Sequence, residues 1–118
     1  MTDKPRERSA SYLSPPDFHR LNWACVPIRE AFGDPPYLVG SALTRPDYRD
    51  VDLRLILDDE RHEQLFGDAS PRLRLFLGCA ISDWLARMTG LPIDFQFQSM
   101  TEANVPEHGM RNPMGMPR

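Results

Sequence analysis

Tyr37-Leu38-Val39-Gly40-Ser41 and, after eight intervening residues, Asp50-Val51-Asp52-Leu53-Arg54-Leu55-Ile56-Leu57 decide how this 118-residue chain is read. The run 37–39 is apolar, follows Asp34-Pro35-Pro36 and stops at a glycine, which suits a short buried strand. In 50–57 the apolar Val51, Leu53, Leu55 and Leu57 alternate with Asp50, Asp52 and Arg54. That period of two describes a strand with one apolar face and one charged face. The pattern returns in 93–98, where Ile93, Phe95 and Phe97 point one way and Asp94, Gln96 and Gln98 the other.

Helical signals fill the intervals. Apolar residues from Phe18 to Phe32 predict a helix capped by Asp17, ended by Gly33 and kinked or split at Pro27. A short exposed helix is expected over 60–66, stopped by Gly67. Ser70-Pro71 reads as a strong helix start and Gly90 as its stop. Leu73, Phe76, Leu77, Ala80, Ile81, Trp84, Leu85 and Met88 are spaced to bury one broad face, as a crossover covering a sheet would. The expected fold is α/β, of the α+β kind, with a small mixed β-sheet covered by helices. Residues 17–98 form the core domain, 1–16 a polar N-terminal arm, and 99–118, rich in Met, Pro, Gly and Asn, an irregular C-terminal tail.

Composition narrows the function. A formal net charge of -3 argues against a nucleic-acid scaffold, which needs clustered Lys and Arg, but leaves room for a small anionic ligand held by metal. Cys25 and Cys79 sit among apolar residues and are expected in the core. His19, His62 and His108 are scattered and lack the spacing of a zinc site. The charged start and the lack of a long apolar run predict a cytoplasmic protein that does not span a membrane.

The chemistry is concentrated on the polar strand faces. Asp50 and Asp52, two apart on a strand, place their carboxylates together, which invites repulsion unless a cation lies between them. An all-oxygen site of this kind suits Mg²⁺, with Mn²⁺ as its substitute. Asp94 joins if its strand lies beside the first, and three carboxylates can hold two metals. Gly40 at a strand end lets backbone N–H groups approach phosphate, and the Ser41 hydroxyl can donate to it. Arg54 shares the carboxylate face, either as a phosphate contact or as an ion-pair partner of Asp52 or Asp94.

Leu38-Val39-Gly40-Ser41, the spacer, Asp50-Val51-Asp52-Leu53 and the later Asp94 together resemble the nucleotidyltransferase superfamily of DNA polymerase β, over residues 37–98. In size the chain looks most like the minimal nucleotidyltransferases, which include antitoxins that pair with a HEPN-type toxin and transfer AMP to it. The resemblance implies a nucleotidyltransferase-type core and Mg²⁺-dependent transfer of a nucleoside monophosphate from an NTP to a hydroxyl on a protein, RNA or small molecule. It assigns the nucleotide phosphates to Gly40 and Ser41 with Arg45 in reach. It assigns both metals to Asp50 and Asp52, and the acceptor side to Asp94. Nucleic acid enters only as an acceptor. The alternative is a catalytically inactive binding module on the same fold, such as an antitoxin or adaptor.

Overall fold

The computed structural model describes residues 11–67, 71–104 and 110–117, and most of the expected arm, 1–10, lies outside them, as do Ser70 and His108. Among the described residues four strands form one mixed sheet in the order β3-β2-β1-β4: β1 (Pro36–Val39), β2 (Val51–Leu57), β3 (Ile93–Ser99) and β4 (Asn112–Pro113). β1 runs antiparallel to both β2 and β4, and β2 runs parallel to β3. The chain is therefore the mixed α/β fold that the strand periodicity predicts.

The pleat sorts residues by face. Leu38, Val51, Leu53, Leu55, Leu57, Phe95 and Phe97 are buried in one core with Leu21, Cys25, Ile28 and Leu85 from the helices. Phe97 sits at its centre, in edge-to-face contact with Phe32, Phe66 and Phe95 at centroid distances of 5.4, 5.1 and 5.3 Å. Such pairs add about 0.5–1.5 kcal/mol each to the area they bury. The opposite face keeps Asp52, Arg54, Asp94 and Gln96, as a half-buried sheet should.

The helices depart from expectation in instructive ways. The first, α1 (Pro15–Ala24), begins three residues earlier than predicted. Its cap is Ser14, whose hydroxyl accepts the Asp17 N–H at 3.2 Å, and Asp17 takes a first-turn position that favours an acid. Pro15 and Pro16 thus open a helix and do not extend the arm, because the missing N–H of a proline is no loss in a first turn. At Cys25 the helix breaks and α2 (Val26–Phe32) follows, since Pro27 has no N–H to continue the ladder. After the four-residue α3 (Ser41–Thr44) and β2 comes α4 (Asp59–Phe66), capped by Asp58, which accepts the Arg61 N–H at 2.8 Å.

The long helix α5 (Pro71–Thr89) does not lie flat on the sheet with its whole apolar stripe buried. It runs beside β3, the edge strand. Gly78 lets the two backbones close up, since a Cβ there would meet the Phe95 carbonyl oxygen at 3.1 Å. One turn on, the Ser82 hydroxyl accepts the Phe95 N–H at 2.8 Å and donates to the Phe95 carbonyl at 3.3 Å. A side chain thus satisfies the outward-facing backbone of an edge strand, which would otherwise invite another chain. The geometry buries Gly78, Leu85 and Thr89 but leaves Phe76 68% exposed, with Trp84, Met88 and Cys79 also exposed. Cys79 is therefore not a core residue, whereas Cys25 is, and burial pushes its thiol up to about 12.

Residues 99–118 are not simply irregular. α6 (Met100–Ala103) opens on a capping box of Ser99 and Glu102, and β4 adds a strand to the sheet. Met114 is fully buried. The buried Asn22 of α1 clamps the segment beyond β4: its amide oxygen accepts the N–H groups of Gly115 and Met116 at 2.8 and 3.2 Å, and its amide nitrogen donates to the Met116 carbonyl at 2.8 Å. Arg29 adds a donor to the Gly115 carbonyl at 2.7 Å. Gly115 has φ 77° and faces the Cys25 backbone, so only glycine fits. Replacing Asn22 with Ala strands these backbone groups, and we expect a loss of about 3 kcal/mol in urea unfolding together with faster proteolysis near residue 115. Unchanged stability would show that the clamp contributes nothing.

Candidate functional site

The site is set by the register of two parallel strands. Asp52 of β2 stands opposite Asp94 of β3, so both side chains leave the same face on strands about 4.8 Å apart. Val39, at the end of β1, is the partner of Asp52 on the other side, which delivers Gly40 to the same spot. Gly40 has φ 78°, and a Cβ built on it would run into the Asp52 carboxylate. Two constraints therefore demand glycine: the backbone is left-handed and the Asp52 carboxylate folds over the turn. Ser41 follows as the first residue of α3, half-exposed, and its hydroxyl has no partner among the described residues.

The electrostatics of Asp52 record this crowding. Partial burial pushes its carboxyl up, Arg54 pulls it back, and Asp94 and Asp50 push it up again. The neighbouring negative charges add to burial in disfavouring the ionised form of Asp52. Arg54 is only 17% exposed, and its guanidinium lies 3.8 Å from the Asp94 carboxylate. It also donates to the backbone carbonyls of Leu53 and Asp94 at 2.8 and 3.0 Å. Of the two roles open to Arg54, the ion-pair role is the one occupied. Gln96 donates its amide to both Asp94 oxygens, at 3.2 and 3.3 Å.

Two expected participants stand further off. Asp50 lies in the bend before β2, exposed, and reaches Asp52 only through its field. Arg45 is held bidentately by Asp47, with both contacts at 3.1 Å, in the exposed connection after α3. That pairing holds the Asp47 carboxyl below its usual range. Among the described residues no group of three or more His, Cys, Asp or Glu side chains gathers closely enough to hold a metal ion. The structure brings together Asp52 and Asp94 and leaves Asp50 beside them. An oxygen-only pair crowded enough to raise a carboxyl still fits the chemistry of a hard divalent cation.

The C-terminal side was missed by sequence reasoning. A cavity of about 330 Å³ opens beside Gly40 and Arg54 on the carboxylate face, and Ala103, Met110 and Arg111 form one wall. The sequence signal, Asn112-Pro113-Met114-Gly115, lacks periodicity because its strand is two residues long. A larger cavity, about 940 Å³, lies between α5 and the β3 edge among Leu75, Gly78, Cys79 and Phe95, and touches the carboxylate site only at its border with Asp94 and Gln96. No helix among the described residues is long and apolar enough to cross a membrane.

Comparison with protein-family models, with curated proteins and with solved structures gives no match.

The raised Asp52 carboxyl makes a signed prediction. The fold disfavours its ionised form, so stability is lost as pH rises through its titration. Asp52→Asn, neutral at every pH, is expected to melt about 2–5 °C above the parent chain near neutral pH without divalent ions, a gap that closes as pH falls. Mg²⁺ should raise the Tm of the parent and not of the variant. A variant that melts lower near neutral pH would contradict the crowding.

Proposed function

We propose that this face is a nucleotidyl-transfer site that uses Mg²⁺ or Mn²⁺ and moves a nucleoside monophosphate from an NTP to a hydroxyl acceptor. The observation that carries the reading is the Asp52–Asp94 pair, set face to face by strand register with the Gly40 turn folded onto Asp52. The resemblance of Gly40-Ser41, Asp50, Asp52 and Asp94 to the polymerase β superfamily supports it. Asp52 and Asp94, with Asp50 at their flank, would hold a divalent cation, which would neutralise charge on the triphosphate.

This chain's own groups do the rest. The free Ser41 hydroxyl donates to a phosphate oxygen, and the glycine turn lets the triphosphate approach without a side chain in its path. The acceptor oxygen bonds to the α-phosphorus as the bond to pyrophosphate breaks, and the acceptor proton passes to Asp94. Arg54 holds Asp94 in place through its backbone and side-chain contacts. Substrates of this kind fit a cytoplasmic protein.

A second reading is favoured by a specific observation. Arg54 already pairs with Asp94, and no three-acid group is assembled among the described residues, which suits a binding module without turnover, an antitoxin or adaptor for a HEPN-type toxin.

The two readings part on one assay. Protein, Mg²⁺ and α-labelled NTPs are mixed with protein, RNA and small-molecule acceptors. Label transfer is expected to fall at least about 100-fold in Asp52→Asn and in Asp94→Asn, the scale of losing a group that acts on the reacting atoms. Equal transfer by parent and variants would sink the enzyme reading. A toxin complex that survives both substitutions, without transfer by the parent, would establish the binding module.

A further inference from the structure

The cavity beside Gly40 has the position, size and chemistry of a base pocket. It shares Gly40 and Arg54 with the carboxylate site, the first folded onto Asp52 and the second paired with Asp94. A ligand whose charged end lies at Asp52 can reach this cavity with its other end. At about 330 Å³ the cavity lies within the range of small-molecule sites, roughly 300–1,000 Å³.

Its lining is that of a site for a flat, polar-edged ring. Val39, Leu43, Ile56 and Met110 offer aliphatic surface to the ring faces. Gln98, on the same strand face as Asp94 and half-buried, offers a carboxamide that has no partner among the described residues. A Gln side chain presents a donor and an acceptor together, the pattern that pairs with N6 and N7 of adenine.

The wall that closes the cavity is held from three sides. Ala103 ends α6, which is tied to α4 by Thr101, whose N–H and hydroxyl donate to Asp59 at 3.1 and 2.5 Å, and to α5 by the 2.7 Å ion pair of Arg74 with Glu102. Arg111 donates to the Asn104 side chain at 3.0 Å and lies 5.7 Å from the Tyr37 ring centroid. The Asn22 clamp fixes the chain just beyond. These bonds tie α6 and Arg111 to their neighbours, and a site built in advance favours affinity.

We propose that this cavity takes the adenine base of a nucleotide whose triphosphate lies at Asp52 and Gly40, with Gln98 reading the base edge and the C-terminal segment supplying the wall. This rests on the triphosphate reading above. Binding of Mg²⁺ with a nonhydrolysable ATP analogue is compared by calorimetry with Mg²⁺ and inorganic tripolyphosphate, and with the GTP and UTP analogues.

The ATP analogue is expected to bind at least 10-fold more tightly than tripolyphosphate and than the UTP analogue. Gln98→Ala should lose about 10-fold in affinity for the ATP analogue and nothing for tripolyphosphate. Ala103→Trp, which fills the cavity from its wall, should remove the preference for the ATP analogue in a protein whose melting curve remains cooperative. Equal affinity of ATP analogue and tripolyphosphate, or a Gln98→Ala variant with the parent's preference, overturns the base pocket and leaves the triphosphate site standing. No binding of either ligand overturns both.

Discussion

Everything at the site depends on the parallel pairing of β2 with β3. With a period of two in each strand, burying Leu53, Leu55, Phe95 and Phe97 fixes which face looks inward. The register then leaves no choice about Asp52 and Asp94, which must share the outer face and oppose one another. A slip of β3 by one residue would bury Asp94 and expose Phe95 and Phe97, so the hydrophobic effect, which knows nothing of catalysis, holds the carboxylates in line. The electrostatic cost of the pair is thus sustained by core packing elsewhere.

The same physics separates the legible features of the sequence from the hidden ones. Alternation found β2 and β3 almost to the residue, because a strand with one wet face writes its period plainly. Proline and glycine marked the ends of α1, α2 and α5. Asp52, Asp94 and Gly40 were legible as neighbours because strand direction and turn chemistry are local. Less legible was anything set by distant packing. The α5 stripe at Leu73, Phe76 and Trp84 has helical spacing whether the helix lies over a sheet or along its edge, and only Gly78 and Ser82 hint at the edge. Arg45 looked available for phosphate because its partner Asp47 lies in an irregular connection with no pattern to read. The strand before Met114 was not legible because two residues of strand carry no period at all.

The edge position of α5 gives the sheet two different borders. On one, Ser82 answers the Phe95 backbone and a helix covers the strand. On the other, β4 is too short to template further pairing. Covering an edge by a helix leaves the helix's outer side bare, which is why Phe76, Trp84 and Met88 reach solvent. The same shift opens the cavity of about 940 Å³ behind β3, so that space arises from how an edge is covered, away from where the acids meet.

The Asn22 clamp joins residues 93 and 94 positions apart in sequence. Contacts of such span contribute most to the mean separation that slows folding, since the chain between them must be brought round before any of them forms. Met114 cannot enter the core until that closure happens, and on a ribosome the closure waits for residue 116 to emerge. The β2–β3 pairing closes a shorter loop than the clamp does, so the layer around α1 carries the larger closure cost. The wall beside the carboxylate face thus hangs on a longer loop closure than the face itself.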